Sequence, residues 1–445
     1  MLGALALVGT GLVGVQRSLD ARYRDVVATR AALVGAVDPV ATSPQVRWAV
    51  DTAVLDGLLL DQPVDGLVVG ARSQRDGTVE ATALDAATGA TAWSTVLAGR
   101  PGERADVSGS GRGCTTTRLD GRAVLVCMIG YRLADQDGTA PAARGEVVVL
   151  DAATGTLVAR RAAPRQAGAV VVEEGAAVLA WRVLGDVRVH AQDLVTGATV
   201  WQQRFSVPRT GTPTRVELTT PPRVARVQLA VGAGLVVVAA AQRVYLLGPD
   251  GTVRAEHGRL QGYLRDVRPD RVVVLTTNGP TGTLVVRPGQ PDVLTADVAL
   301  VASLDDDSLA DVRLVTGDTL RADDARTGAQ RWALDDGGTD AVVLDGTVYV
   351  AGSRTLVRAV DGRTGAVRWA VPLPGGASAG RLVTDGERLY VQVLGPDDAA
   401  RWQVLGLDGL GAGTVRPPVG WDEPELRGRT LVVTSADGTR AGVLG

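Results

Sequence analysis

Asp85-Ala86-Ala87-Thr88-Gly89-Ala90-Thr91-Ala92-Trp93 is the stretch that decides the fold, because its pattern Asp-x-x-Thr-Gly-x-x-x-Trp returns along the chain. It recurs at Asp193, Thr196, Gly197 and Trp201, at Asp324, Thr327, Gly328 and Trp332, and at Asp361, Thr364, Gly365 and Trp369. A fifth copy, Asp151-Ala152-Ala153-Thr154-Gly155, keeps the turn and puts Ala159 where the Trp would stand.

Each copy follows an apolar, β-branched run such as Glu146-Val147-Val148-Val149-Leu150 and precedes a short alternating one. That reads as strand, turn, strand. The Asp carboxylate accepts a bond from a backbone N–H two residues on, Thr braces the turn with its hydroxyl, and Gly supplies a positive φ. The Trp falls on the outgoing strand, where its wide ring covers the seam between neighbouring sheets.

The turn Asp residues are spaced by 66, 42, 131 and 37 residues. A four-stranded propeller blade takes roughly 40–50 residues. The first spacing therefore holds one blade plus insertions at 102–113 and 134–144, and the third needs about three blades. Two degenerate turns are expected inside it, at Pro249-Asp250-Gly251 and Arg287-Pro288-Gly289, and a further one downstream at Leu407-Asp408-Gly409. Gln45–Val50 carries Trp48 on an outgoing strand with no blade before it, and the C-terminus ends as a blade lacking its last strand. Pairing the two would remove open edges. The expectation is an all-β propeller of four-stranded antiparallel blades, eight favoured and seven to nine allowed, preceded by a helix. An open array of β-sandwich hairpins is the rival, but hairpins in general do not require a Trp at a fixed offset.

These motif copies resemble the pyrroloquinoline-quinone-like, Trp-docked propeller repeat family across roughly residues 45–445. The resemblance implies a propeller. It does not imply a reaction, because the family includes quinone-dependent dehydrogenases and also a cofactor-free lipoprotein of outer-membrane barrel assembly, and the shared motif builds blades in both.

At 445 residues the chain suits one large ring. It has no Lys, one Asn, one Ile and one Phe, with 56 Gly, which points to a GC-rich genome of the actinobacterial kind. A net charge of -3 with both signs interspersed argues against nucleic acid, which wants a basic face. Residues 1–15 read as a membrane anchor or signal-type segment, since Leu2–Val15 is apolar apart from Thr10. That stretch is shorter than the roughly 20 residues that span a bilayer, and no basic flank precedes it. A longer anchor beginning upstream, an atypical signal and a buried core helix are the readings left open. Residues 16–44 read as a helical stalk and linker, from Leu19, Tyr23, Val26 and Ala31 at helical steps and a stop at Asp38-Pro39.

Cys114 and Cys127 flank Asp120-Gly121, a strong two-residue hairpin signal. Pairing Leu119 with Arg122 and running back sets Cys114 against Cys127 at a non-hydrogen-bonded position, where Cα atoms approach to about 4.5 Å. A cross-strand disulfide is expected, with two reduced thiols as the alternative. The disulfide would suit an exported protein.

No set of residues announces catalysis. His190 and His257 have no second imidazole or thiol at ligand spacing. Asp305-Asp306-Asp307 with Asp311 lacks the turn Gly of a calcium loop. Ser108-Gly109-Ser110-Gly111 has no strand-to-helix context for a nucleophile, and a phosphate loop needs the Lys this chain lacks. No catalytic, cofactor-binding or metal residue is therefore assigned. The reading is a non-enzymatic, membrane-tethered propeller outside the cytoplasm that serves as an interaction or envelope-assembly scaffold for a protein partner. Its rivals are a quinone- or sugar-binding propeller, with quinone-dependent dehydrogenase activity in the extreme case, and the sensor domain of a longer protein. The inserted loops 102–113, 134–144 and 295–309 are where function is expected.

Overall fold

The computed structural model describes residues 21–445, apart from 62, 108–112, 134–143, 165–168, 174, 184–185, 207–226, 233, 241–242, 259–261, 268–271, 277–281, 287–291, 296, 353–354 and 396–399. It is all-β and built of propeller blades, with a helix over residues 21–31. The chain divides into two compact units, residues 48–298 and residues 1–47 with 299–445.

The first unit carries five sheets. A three-stranded sheet, Leu67–Ser73, Val79–Asp85 and Thr91–Leu97, precedes a larger one in which the long strand Arg122–Leu133 pairs with both Glu103–Val107 and Cys114–Leu119. Three four-stranded sheets follow, spanning 169–206, 228–258 and 262–295. In the second unit the sheets span 298–334, 338–372 and 378–415. The last is Glu425–Arg427, Thr430–Thr434 and Arg440–Leu444, to which Val46–Asp51 adds as the outer strand, with Gln45 and Gly445 exchanging backbone bonds. The described residues thus make nine sheets, inside the expected seven to nine and one more than the eight favoured. The extra one comes from the long central spacing, where both degenerate copies are complete sheets. Asp250-Gly251 and Asp408-Gly409 stand at the expected hairpins. Arg287-Pro288-Gly289 lies outside the described residues, between the paired strands Gly282–Val286 and Val293–Thr295.

The stretch 295–309, expected as an inserted loop, is structural. Ala302–Asp305 lies parallel to Ala341–Val343 as a fifth strand of the next sheet, and Leu300, Ala302, Leu304 and Leu309 are buried. Four apolar side chains within ten residues favour packing over an exposed loop.

Five Trp side chains dock forward onto the turn of a following sheet. The indole Nε1–H donates to a turn carbonyl: Trp48 to Ala86 at 3.0 Å, Trp93 to Ala152 at 2.9 Å, Trp201 to Pro249 at 2.7 Å, Trp332 to Gly362 at 2.9 Å and Trp369 to Leu407 at 3.0 Å. The ring lies against the turn Gly so closely that a Cβ on Gly365 would sit 2.7 Å from Trp332. Gly is required there twice, for its φ of +77° and for the ring.

A volume rule accompanies the docking. Trp93, Trp201, Trp332 and Trp369 each stand across the sheet from a fully buried Ala, at Ala83, Ala191, Ala322 and Ala359. Where Ala159 replaces the Trp, its partner grows to Val149, and Ala255 faces Leu246 in the fourth sheet. Close-packed interiors hold summed volume nearly constant, so one partner shrinks as the other grows.

The segment expected as a helical stalk and linker makes contacts with later residues from Tyr23 onward. Ala36, Val37 and Val40 are buried, and the Val37 and Asp38 N–H groups donate to Thr384 and Arg429 carbonyls. Tyr23 donates to Glu387, and Arg30 pairs with Asp345.

Candidate functional site

The motif residues are turn and seam elements. In the turn at Asp85, the carboxylate accepts from the Thr88 hydroxyl and backbone N–H at 2.8 Å each, which holds it below the ordinary carboxylate range. The copies at Asp151–Thr154, Asp193–Thr196, Asp324–Thr327 and Asp361–Thr364 repeat these bonds. Arg368 and Thr364 together bring Asp361 down to about 2. In every copy the Asp Oδ1 is engaged within its own turn, which gives the motif a structural role. At the copy without a Trp, the Arg161 guanidinium donates to the Val195 carbonyl and packs on Gly197, taking over the indole's place.

Cys114 and Cys127 form the disulfide in the expected register, with Cα atoms 4.1 Å apart. His190 bonds Thr199, and burial lowers its pKa. His257 pairs with Asp292 at 2.8 Å. The acidic run is consumed locally. Asp306 accepts from Ser308 and from the Asp345 N–H, and Asp311 pairs with Arg331 and Arg363. A quinone held beside a hard cation needs converging carboxylates. Among the described residues no group of three or more His, Cys, Asp or Glu could hold a metal, so that donor set is not offered there. Ser108, Ser110 and residues 134–143 of the expected functional loop 134–144 lie outside the described residues.

Two buried polar networks are complete and structural. Tyr131 donates to Glu146 at 2.9 Å beneath the Arg144 guanidinium, which also binds Glu103, and burial pushes the phenol up to about 12. Tyr390 donates to the buried carboxylate of Asp385 at 2.7 Å and accepts from the Val40 N–H at 3.0 Å, clamping the N-terminal segment onto the second unit.

An open groove of about 840 Å³ in the second unit is different in kind. The turn Pro374–Gly376 forms one wall. Trp402 pairs with Val415 and Gln403 with Thr414, so alternation places Arg401, Gln403, Thr414 and Arg416 together on the groove. Pro374, Val393 and Pro417 supply the apolar lining. Trp402 points the other way, fully buried, with its Nε1–H on the Pro424 carbonyl at 2.8 Å. Glu423 lies at the rim, 3.9 Å from Arg401; burial raises its pKa against the pull of that arginine. Among the described residues the Arg416 guanidinium has no ion-pair partner, and Gln403 Oε1 is shut off from solvent without a hydrogen bond. Sequence reading missed these residues. The alternation Arg401-Trp402-Gln403 was legible, but its relation to Thr414-Val415-Arg416 required the strand register.

Residues 316–441, which contain the whole groove, match the family model described as outer membrane protein assembly factor BamB. Over that stretch the repeats are of the PQQ-like propeller type. No curated protein matches the chain. Among solved structures, BamB from Moraxella catarrhalis is similar at 16% identity over 90% of this chain and 99% of that one, with a TM-score of 0.43. A quinohemoprotein alcohol dehydrogenase from Comamonas testosteroni shows 12% identity over 94% and 82%, with a TM-score of 0.44. A europium-containing methanol dehydrogenase shows 14% over 84% and 87%, with a TM-score of 0.37.

Proposed function

We propose that this chain is an exported, membrane-tethered propeller scaffold that holds a protein partner in the cell envelope and performs no chemistry of its own. The observation that carries the reading is the groove at 374–423. It presents two arginines and a single carboxylate beside an apolar lining, a combination suited to recognition. It also lies inside the stretch matched by the assembly-factor family. The disulfide favours an oxidising compartment. The apolar Leu2–Val15 would be the tether; among the described residues no helix is long and apolar enough to cross a membrane, and that segment lies outside them.

The test joins topology to contact. A C-terminal alkaline phosphatase fusion should be active in intact cells and should sediment with membranes. A photo-crosslinking amino acid at Thr414 should give a discrete heavier adduct in the same cells. A silent fusion removes the export reading, and an absence of adducts at the groove removes the scaffold reading.

A further inference from the structure

The polar groups of the groove are mismatched among themselves in a way that specifies a ligand. Arg401 precedes Trp402 and Arg416 follows Val415, and those two are partners across neighbouring strands. The sheet therefore sets two guanidinium groups at one end and on one face, although like charges opposite one another destabilise a sheet. One carboxylate, Glu423, stands 3.9 Å from Arg401, beyond hydrogen-bond reach, so the groove keeps a positive excess. Gln403 lies one step further in.

We propose that this groove binds an extended peptide segment, taking an Asp or Glu side chain between Arg401 and Arg416 and laying its apolar neighbours against Val393 and Pro417. Two arginines alone would equally suit phosphate. The apolar lining decides between them, because a bare phosphate has no apolar surface to lay on Val393 and Pro417, whereas a peptide carries apolar side chains beside its carboxylate. The short apolar side chains of Val393 and Pro417 suit the neighbouring residues of an extended segment and offer no aromatic face on which a base would stack. Glu423 competes for Arg401 in the empty groove and weakens binding.

The experiment uses the purified full chain and fluorescence anisotropy with an array of labelled, C-terminally amidated octapeptides. These have a Val, Ala and Thr background with Glu, Gln or phosphoserine at a central position, and matching free-acid peptides and inorganic phosphate are added as competitors. The Glu peptides should bind at least tenfold more tightly than their Gln counterparts. R401Q and R416Q should each cost about tenfold, and E423Q should tighten binding a few-fold. All three should keep the parental melting temperature, as should R204Q, a surface control outside the groove that should also keep the parental affinity. Equal binding of Glu and Gln peptides, tighter binding of phosphoserine or phosphate, a requirement for the free C-terminus, unchanged affinity in the arginine variants, or no binding across the array would each overturn the assignment. The inference rests on the scaffold reading, and the two fail separately: a Thr414 adduct in cells with no acidic preference in the array keeps the scaffold and removes this ligand.

Discussion

Gly365 and Gly346 separate two reasons for glycine. Both hold positive φ, but Gly365 faces the Trp332 ring whereas Gly346 has open space where a Cβ would go. Gly346→Ala should cost about 1 kcal/mol from backbone strain alone. Gly365→Ala should cost a further ~1–3 kcal/mol because the ring must move. Urea denaturation of both variants measures the difference, and equal costs would show that the ring gives way freely. The Ala opposite each Trp makes a parallel case. Ala359→Val should destabilise by about 1–3 kcal/mol through overpacking against Trp369, while Val149, facing Ala159, is native. This complementarity is legible in the chain, since the small residue stands two places before each motif Asp. Its meaning needs the pairing register. The Asp carboxylates behave differently. Asp361 falls from the ordinary 3.8 to about 2, first through Arg368 and then through Thr364. A depressed acid contributes stability that is complete above its unfolded pKa and lost as pH falls through the folded one. Thermal midpoints measured from about pH 5 down to pH 2 should therefore fall more steeply for the parent than for Asp361→Asn.

Among the elements, the hairpin joining Cys114 to Cys127 was readable in register, because Asp-Gly fixes the loop and alternation fixes every pair behind it. Opening the disulfide by replacing both cysteines with Ala should cost about 3 kcal/mol for a loop of this size. Equilibrium denaturation would show it, and thiol titration of the untreated parent should find no free sulfhydryl. The N-terminal segment was less legible. Its helix follows from apolar spacing, but its docking depends on Tyr390 and Asp385, some 350 residues away. Tyr390→Phe leaves the Val40 N–H and the buried Asp385 each short of a partner. A loss of about 1–3 kcal/mol is expected, with faster hydrogen exchange over 37–40 and normal exchange in the first unit. Unchanged exchange would mean that Val37 and Val40 hold the segment through apolar contact alone.

At the scale of the whole molecule, Gln45 and Gly445 exchange backbone bonds beside one sheet of the second unit. Deleting residues 440–445 strips the partner from the strand that starts at Val46 and exposes strand edges. The truncated protein should form concentration-dependent oligomers by light scattering where the parent is uniform; a well-behaved truncation would show that this strand adds little. What the sequence determined by itself was local and periodic: the Asp-Thr-Gly turns, the strands around them, the recurring Trp and the disulfide hairpin, all set by steric and hydrogen-bond rules that act within about a dozen residues. Tertiary structure alone decided which turn each motif Trp docks on, that 302–305 joins a neighbouring sheet, that Ala36, Val37 and Val40 are buried, and that Arg401, Gln403 and Arg416 share a groove with a single carboxylate. Each of those depends on where distant strands pair. Pairing is driven by burial and volume matching, which have no signature in any one stretch of chain.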